Sequence, residues 1–243
     1  MELNPSDYIK ETSSSGFVVH APELFSNSRL MDLATPDDDY RNDSIFETQR
    51  VVNITRSLKS FFPKTKTPLI VANIGGFSMD KNIPREDLDS YYDRFKDSLL
   101  KIDFDGVELI PQNMAPFPWH FGGQRYQNMF ISAEEIVTYC EKLNLRMCFD
   151  ISHCMLACNH FNWDIYEFSE KVAPYTAHIH IGDAIGVNGE GLQIGQGEIN
   201  FKKLGKILKK NSPEASFIPE IWQGHKNGGE DFWIALERLE GLL

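Results

Sequence analysis

Leu145-Arg146-Met147-Cys148-Phe149-Asp150-Ile151-Ser152-His153 and, further along, Thr176-Ala177-His178-Ile179-His180-Ile181-Gly182-Asp183 decide the reading of this chain. Each is an apolar run of strand length, and a helix-length segment separates them. That pattern reads as a parallel βαβ unit. Each run ends in side chains able to bind a metal ion. In parallel α/β folds chemistry collects at the carboxyl ends of the strands, because the loops there converge on one rim. Asp150, His153, His180 and Asp183 are therefore expected on a common rim.

Working outward, the same alternation repeats. Strands are expected at 16–23, 68–76, 105–113 and 216–222, the first stopping at Pro22. Residues 24–40, with three consecutive aspartates, read as a rim loop. Apolar residues at helical spacing predict helices over 44–62 (Ile45, Phe46, Val51, Val52, Ile54, Leu58, Phe61) and 85–101 (Leu88, Tyr91, Tyr92, Phe95, Leu99, Leu100). Ser132 and Glu135 have capping-box spacing and open another helix. A short basic helix follows over 201–210 and a closing one over 230–243. Residues 114–123 and 186–198 are glycine-containing loops, the first also aromatic, and residues 1–15 a loosely held polar lead-in.

Strand and helix alternating six times predict a parallel sheet with helices outside it. No G-x-G-x-x-G follows a strand, so a dinucleotide fold is not favoured. The fold class expected is α/β, a (β/α)8 TIM-barrel type, because chemically able side chains end nearly every strand. A closed barrel of this type needs eight strands. Either two further short strands go unread, or the single domain over residues 1–243 lacks an opening unit that a longer parent protein would supply, and the second reading is preferred.

Composition narrows the class. The chain has 243 residues, 42% of them hydrophobic and 12% aromatic, ample for one large core. No apolar run is long enough to suggest a membrane span, and the N-terminus lacks a basic segment followed by an apolar one. Cys140, Cys148, Cys154 and Cys158 match neither a zinc finger nor a disulfide framework, and read as buried thiols of a cytoplasmic protein. A net charge of −11 argues against a nucleic-acid partner. It leaves room for an anionic sugar, which needs only one local positive site.

Collected at the strand ends are His20, Asn73, Gln112, Asp150, His153, His180, Asp183 and Glu220. Asp150, His180 and Glu220 end three consecutive strands and offer the oxygen and imidazole mixture that Mn²⁺, Mg²⁺, Co²⁺ or Zn²⁺ accepts. Any one of them alone is better read as a polar cap. As a set they point to a site, because unpaired charges are costly to gather. His178 and His180 share a strand face, and the later one lies nearer the rim. Trp119, Phe117, Phe121 and Trp222 are candidate pocket walls, although such aromatics are as often packing residues. His120 sits in the same glycine-containing loop; His225, Glu190 and Glu198 read as surface groups. Cys154 and Cys158, one helical turn apart, read as helix packing.

Val19-His20-Ala21-Pro22, Asp150-x-x-His153, His178-Ile179-His180, the Gly-Glu-Gly…Gly-Gln-Gly-Glu-Ile loop and Pro219-Glu220 together resemble the xylose isomerase-like TIM barrels. That superfamily includes sugar isomerases, ketose 3-epimerases, inosose dehydratases and apurinic-site endonucleases. The resemblance runs from about Gly16 onward. It implies one catalytic divalent ion held by Glu, Asp, His and Glu, of which Asp150, His180 and Glu220 match three. The fourth position carries Gln112, whose amide can offer a carbonyl oxygen to the metal but cannot take a proton. A symmetric two-carboxylate scheme is thereby in doubt, and Glu108 on the same strand lies too deep to replace it. Asn73 stands where the endonucleases use a histidine, which disfavours DNA repair.

The resemblance further implies an isomerase or epimerase acting on a small-molecule sugar or sugar derivative. Glu220 is the candidate base, and His153 the hydrogen-bond partner of the developing enediolate. His20, Asn73, Trp119, Asp183 and Trp222 are the expected substrate contacts, with a loop-capping role for Asp183 weighed evenly against that. Two alternatives stand beside it. One is a dehydratase or lyase on the same barrel; the other is a non-catalytic barrel that binds a carbohydrate or a partner. A homo-oligomer or a parent multidomain chain is left open, and no membrane partner is expected.

Overall fold

A computed structural model describes residues 14–25, 29–120 and 123–242. The lead-in expected over 1–15 thus lies largely outside the described residues, as does Phe121. The described residues fall into two compact units, one taking in residues up to 76 together with 89–110, the other 77–88 and 111 onward.

In the first unit, β1 (Val18–His20) pairs in parallel with β2 (Leu69–Ala72), setting His20 beside Val71. Strand β3 (Glu108–Pro111) takes the other edge of β2. β2 is almost wholly buried, as expected for a Leu-Ile-Val-Ala run in a sheet covered on both faces. Helix α1 (Asp38–Leu58) starts earlier than the apolar spacing predicts. Its start is set by the aspartates: Asp37 accepts the Tyr40 N–H at 3.0 Å, while Asp38 and Asp39 sit in the positive first turn. The expected rim loop is therefore shorter, and contains a hairpin pairing Leu24–Phe25 with Arg29–Leu30. The buried face of α1 also departs from the apolar list. Phe46 is 65% exposed, whereas Ser44, Thr48 and Thr55 are buried, their hydroxyls bonded to backbone carbonyls four residues back. Helix α2 (Leu88–Leu99) follows a 3₁₀ turn at Arg85–Asp87 and buries Tyr92 and Phe95.

In the second unit, β4 (Met147–Asp150), β5 (Thr176–Ile181) and β6 (Ser216–Pro219) form a parallel sheet with β5 in the middle. Every residue of β4 and β5 is buried. The register sets Asp150 against His180 and His180 against Ile218, so the two expected ligands are direct neighbours. Helix α3 (Ala133–Leu143) has the capping box expected of Ser132 and Glu135. Two helices, α4 (Ile151–Phe161) and α5 (Ile165–Val172), connect β4 to β5; α6 (Phe201–Asn211) and α7 (Glu230–Leu239) follow. The loop expected after Asp183 is a hairpin, Asp183–Ile185 against Gly189–Leu192. The aromatic loop contains another, Trp119–His120 against Gly123–Gln124. Among the described residues no helix is long and apolar enough to cross a membrane.

Candidate metal centre and active site

Asp150 is the last residue of β4 and the cap of α4, and its two carboxylate oxygens divide the work. Oδ1 accepts the backbone N–H of His153 at 2.7 Å. Oδ2 is turned the other way, 3.5 Å from His153 Nδ1 and 3.7 Å from His180 Nδ1. Asn113 fixes the backbone beneath: its Oδ1 accepts the Asp150 N–H at 2.7 Å and its Nδ2 donates to the Asp150 carbonyl at 2.9 Å. A buried carboxylate held so firmly can be aimed, because its own chain cannot turn.

His180 Nδ1 faces a second acid, Glu220 Oε2, at 2.7 Å. Glu220 follows β6 and reaches the histidine because Gly182 lets the backbones close in. The Glu220 N–H donates to the Ile181 carbonyl at 2.8 Å, and a Cβ at Gly182 would lie 2.7 Å from the Glu220 carbonyl oxygen. Asp150, His180 and Glu220 thus each present a ligand atom within 4.8 Å of the others. One imidazole nitrogen facing two carboxylates is a place for a cation. Asp150 and His180 are 2% exposed, whereas the Glu220 side chain is 51% exposed and opens the cluster to solvent. Two carboxylates and an imidazole suit Mn²⁺, Mg²⁺, Co²⁺ or Zn²⁺, so the donor set fits such an ion.

The electrostatics are those of a buried ionic cluster. Burial works to raise the pKa of Asp150, but His153 and His180 beside it outweigh burial and hold it well below the usual carboxylate range. Burial works to lower that of His180, and the surrounding Cys148, Asp150 and Glu220 more than reverse this. Cys148 is itself kept a thiol by burial, so the two carboxylates carry that upward pull. His153 is raised as well: burial opposes its charge, while Asp150, Glu190 and Glu220 favour it.

Gln112, expected as the fourth ligand, is brought against Asp150. It sits just past β3 in a parallel bridge with Cys148, and its Nε2 donates to Asp150 Oδ2 at 3.0 Å. The carboxylate is the strongest acceptor in reach, so the amide turns its N–H toward it. Asp183 makes the contacts of a loop cap. It is wholly buried, and its carboxylate accepts the N–H groups of Ala184, Gly195, Gly197 and Ile199 at 2.8–3.2 Å. Gly197 must be glycine there, since a Cβ would lie 2.4 Å from Asp183 Oδ1.

Glu190, read from the sequence as a surface acid, is brought to the site: its Oε2 lies 3.6 Å from His153 Nε2. The neighbouring Gly191 anchors it, donating to Ser152 Oγ at 2.9 Å and accepting the Trp222 N–H at 2.7 Å. The available signal was an acid between two glycines just after a ligand-bearing strand. Trp119 and Trp222 stand 63% and 71% exposed, whereas Phe117 packs edge-on against Tyr126 and His160. In the first unit His20 ends β1 and Asn73 follows β2. There His20 Nδ1 lies 2.7 Å from the Ala21 carbonyl, and Asn73 donates to Glu23 at 2.6 Å. Cys154 and Cys158 pack within α4, their sulfurs 3.9 Å apart. His178 turns its Nδ1 to Ser216 Oγ at 2.7 Å, away from the acids.

The family profile described as "Xylose isomerase-like TIM barrel" matches residues 6–239. No curated protein is significantly similar in sequence. Solved structures share the fold at low identity. A D-tagatose 3-epimerase-like protein is 21% identical, with a TM-score of 0.68 over 98% of this chain and 80% of that one. The IolI protein with a bound zinc atom is 15% identical, with a TM-score of 0.65 over 87% and 73%. The 3-keto-D-glucoside 4-epimerase YcjR of E. coli is 14% identical, with a TM-score of 0.60 over 86% and 75%.

Proposed function

The chain belongs to the xylose isomerase-like TIM barrel family, and we propose that it is a divalent-metal-dependent isomerase or epimerase of a sugar or sugar derivative. The observation that carries this reading is the meeting of Asp150, His180 and Glu220, from three separate strand ends, within 4.8 Å. The sugar epimerases among its structural relatives support it. Bound by these three residues, a divalent ion supplies Lewis-acid polarisation of a sugar carbonyl or hydroxyl.

The remaining chemistry falls to the chain's own side chains. Glu220 is the group with both reach and exposure to take a proton from the carbon beside the carbonyl. The electron pair of that C–H bond moves toward the carbonyl oxygen, where charge develops. His153, whose pKa Asp150 and Glu190 hold up against burial, is placed to donate a hydrogen bond to that oxygen. Gln112 cannot exchange a proton, so the reading assigns proton removal to Glu220 alone.

Metal analysis and solvent-proton exchange test this. The wild-type chain is expected to bind about one divalent ion and to exchange a sugar C–H proton with deuterated solvent. H180A should lose the ion, and E220Q should lose exchange by a factor of about 10² or more. Exchange that survives in E220Q would refute the assigned base. A wild-type chain binding no ion would refute the reading as a whole. Product identity then separates isomerisation from elimination of water.

A further inference from the structure

Glu190 stands at the candidate site without a part in the proton transfer given above. Its Oε2 lies 3.6 Å from His153 Nε2, an ion-pair distance longer than a hydrogen bond. The imidazole is fixed from its other side. His153 Nδ1 lies 3.1 Å from the Asn113 carbonyl, which can only accept. Nδ1 therefore keeps its proton, and Nε2, facing Glu190, is the nitrogen left to exchange one.

Glu190 is held in place as well. The next residue, Gly191, donates to Ser152 Oγ at 2.9 Å, directly before His153, and accepts the Trp222 N–H at 2.7 Å, just past Glu220. It also packs on the Glu220 backbone: a Cβ at Gly191 would lie 3.6 Å from the Glu220 carbonyl oxygen. The hairpin is thus tied both to the helix carrying His153 and to the strand end carrying Glu220. The Glu190 side chain keeps 37% of its surface open, enough to meet a substrate. An imidazole N–H beside a carboxylate offers a donor and an acceptor to two oxygens at once. An α-hydroxy carbonyl brings the matching pair, a carbonyl oxygen that accepts and a neighbouring hydroxyl that donates.

We propose that the reaction interconverts an aldose and a ketose, with Glu190 as the catalytic group that exchanges the hydroxyl proton. This rests on the functional reading above and selects isomerisation within it. Glu220 takes the proton from the hydroxyl-bearing carbon, and that C–H pair becomes a carbon–carbon double bond. The carbonyl pair moves onto its oxygen, which receives the Nε2 proton of His153. The neighbouring hydroxyl gives its proton to Glu190 and closes to the new carbonyl. The double-bond pair takes the proton back from Glu220 at the adjacent carbon. Glu190 returns its proton to His153 across their 3.6 Å contact, and all three groups are restored. One carboxylate for the carbons and an imidazole for the oxygens is a sufficient division of labour for this chemistry. It asks for no second carbon base, the duty that the amide of Gln112 cannot perform.

Product analysis by NMR in deuterated solvent decides it. The Mn²⁺-loaded wild-type chain, E190Q and E190D are incubated with D-fructose, D-tagatose, D-psicose, D-ribulose and the terminal phosphates of each. At least one ketose is expected to give its aldose, with deuterium at the carbon that was the carbonyl. E190Q should lose aldose formation by a factor of about 10² or more while binding Mn²⁺ as tightly as the wild type. E190D should recover part of the rate. A wild type that yields only an epimeric ketose or a dehydrated sugar, or no product while Mn²⁺ is bound, overturns the assignment. So does E190Q at the wild-type rate, and so does loss of Mn²⁺ in E190Q, which would make the role of Glu190 structural. Failure of the functional reading is distinct from all of these, because the wild-type chain then binds no Mn²⁺ at Asp150, His180 and Glu220.

Discussion

Replacing Gln112 with glutamate restores the carboxylate that the family resemblance leads one to expect, and its cost can be worked from the structure. Gln112 Nε2 lies 3.0 Å from Asp150 Oδ2, and both residues are 2% exposed. In Q112E two carboxylate oxygens would face each other at that separation. Two unit charges there repel by about 5.5 kcal/mol at an effective dielectric of about 20. The new glutamate has a cheaper route, which is to keep its proton. Starting from a pKa of about 4.3, protonation costs about 3.7 kcal/mol at pH 7 and about 1.6 kcal/mol at pH 5.5. The protonated acid can donate to Asp150 as the amide did, so this smaller figure sets the penalty.

The sign follows from linkage. The new group's folded pKa is raised above its unfolded value, so the penalty is absent at low pH and grows as pH rises. A divalent cation reverses the balance, because the added carboxylate becomes a further oxygen donor beside Asp150, His180 and Glu220. Urea unfolding of the wild type and Q112E at pH 5.5 and 7.0, with chelator or with Mn²⁺, measures all of this. Without metal, Q112E should lose about 4 kcal/mol at the higher pH and about 2 kcal/mol at the lower. With Mn²⁺ it should recover most of that loss and bind the ion at least tenfold more tightly than the wild type. A penalty equal at both pH values, or one that Mn²⁺ does not relieve, would refute the buried-cluster argument.

Two further outcomes are expected. The pKa of His180 is raised by its carboxylate neighbours, so a metal ion must displace that proton. Metal affinity should then climb about tenfold per pH unit above the ordinary histidine value of about 6.5, and a flat profile by competition titration would count against His180 as a ligand. D183N turns an amide N–H toward backbone donors now satisfied by a carboxylate, at a cost of about 2–4 kcal/mol. A lowered melting temperature, with new proteolytic cleavage between residues 186 and 198, is the expected signature; unchanged melting would remove Asp183 as the organiser of that loop.

The sequence alone determined the alternation of strands and helices, the βαβ unit around Asp150 and His180, and the three ligand candidates. These are legible because periodicity and strand-end position are local properties. The start of α1 is not legible in the same way, because an aspartate run looks the same in a loop as in a helix cap until its backbone partners are known. What tertiary structure decided were the roles fixed by residues distant along the chain. Gln112 donates to Asp150 because it bridges Cys148, two residues before that carboxylate. Asp183 became a loop cap because four amides fold back onto it, and Glu190 joined His153 because Gly191 is anchored by Ser152 and Trp222. A carboxylate's role is set by what shares its few ångströms of space, and no reading of spacing along the chain contains that distance.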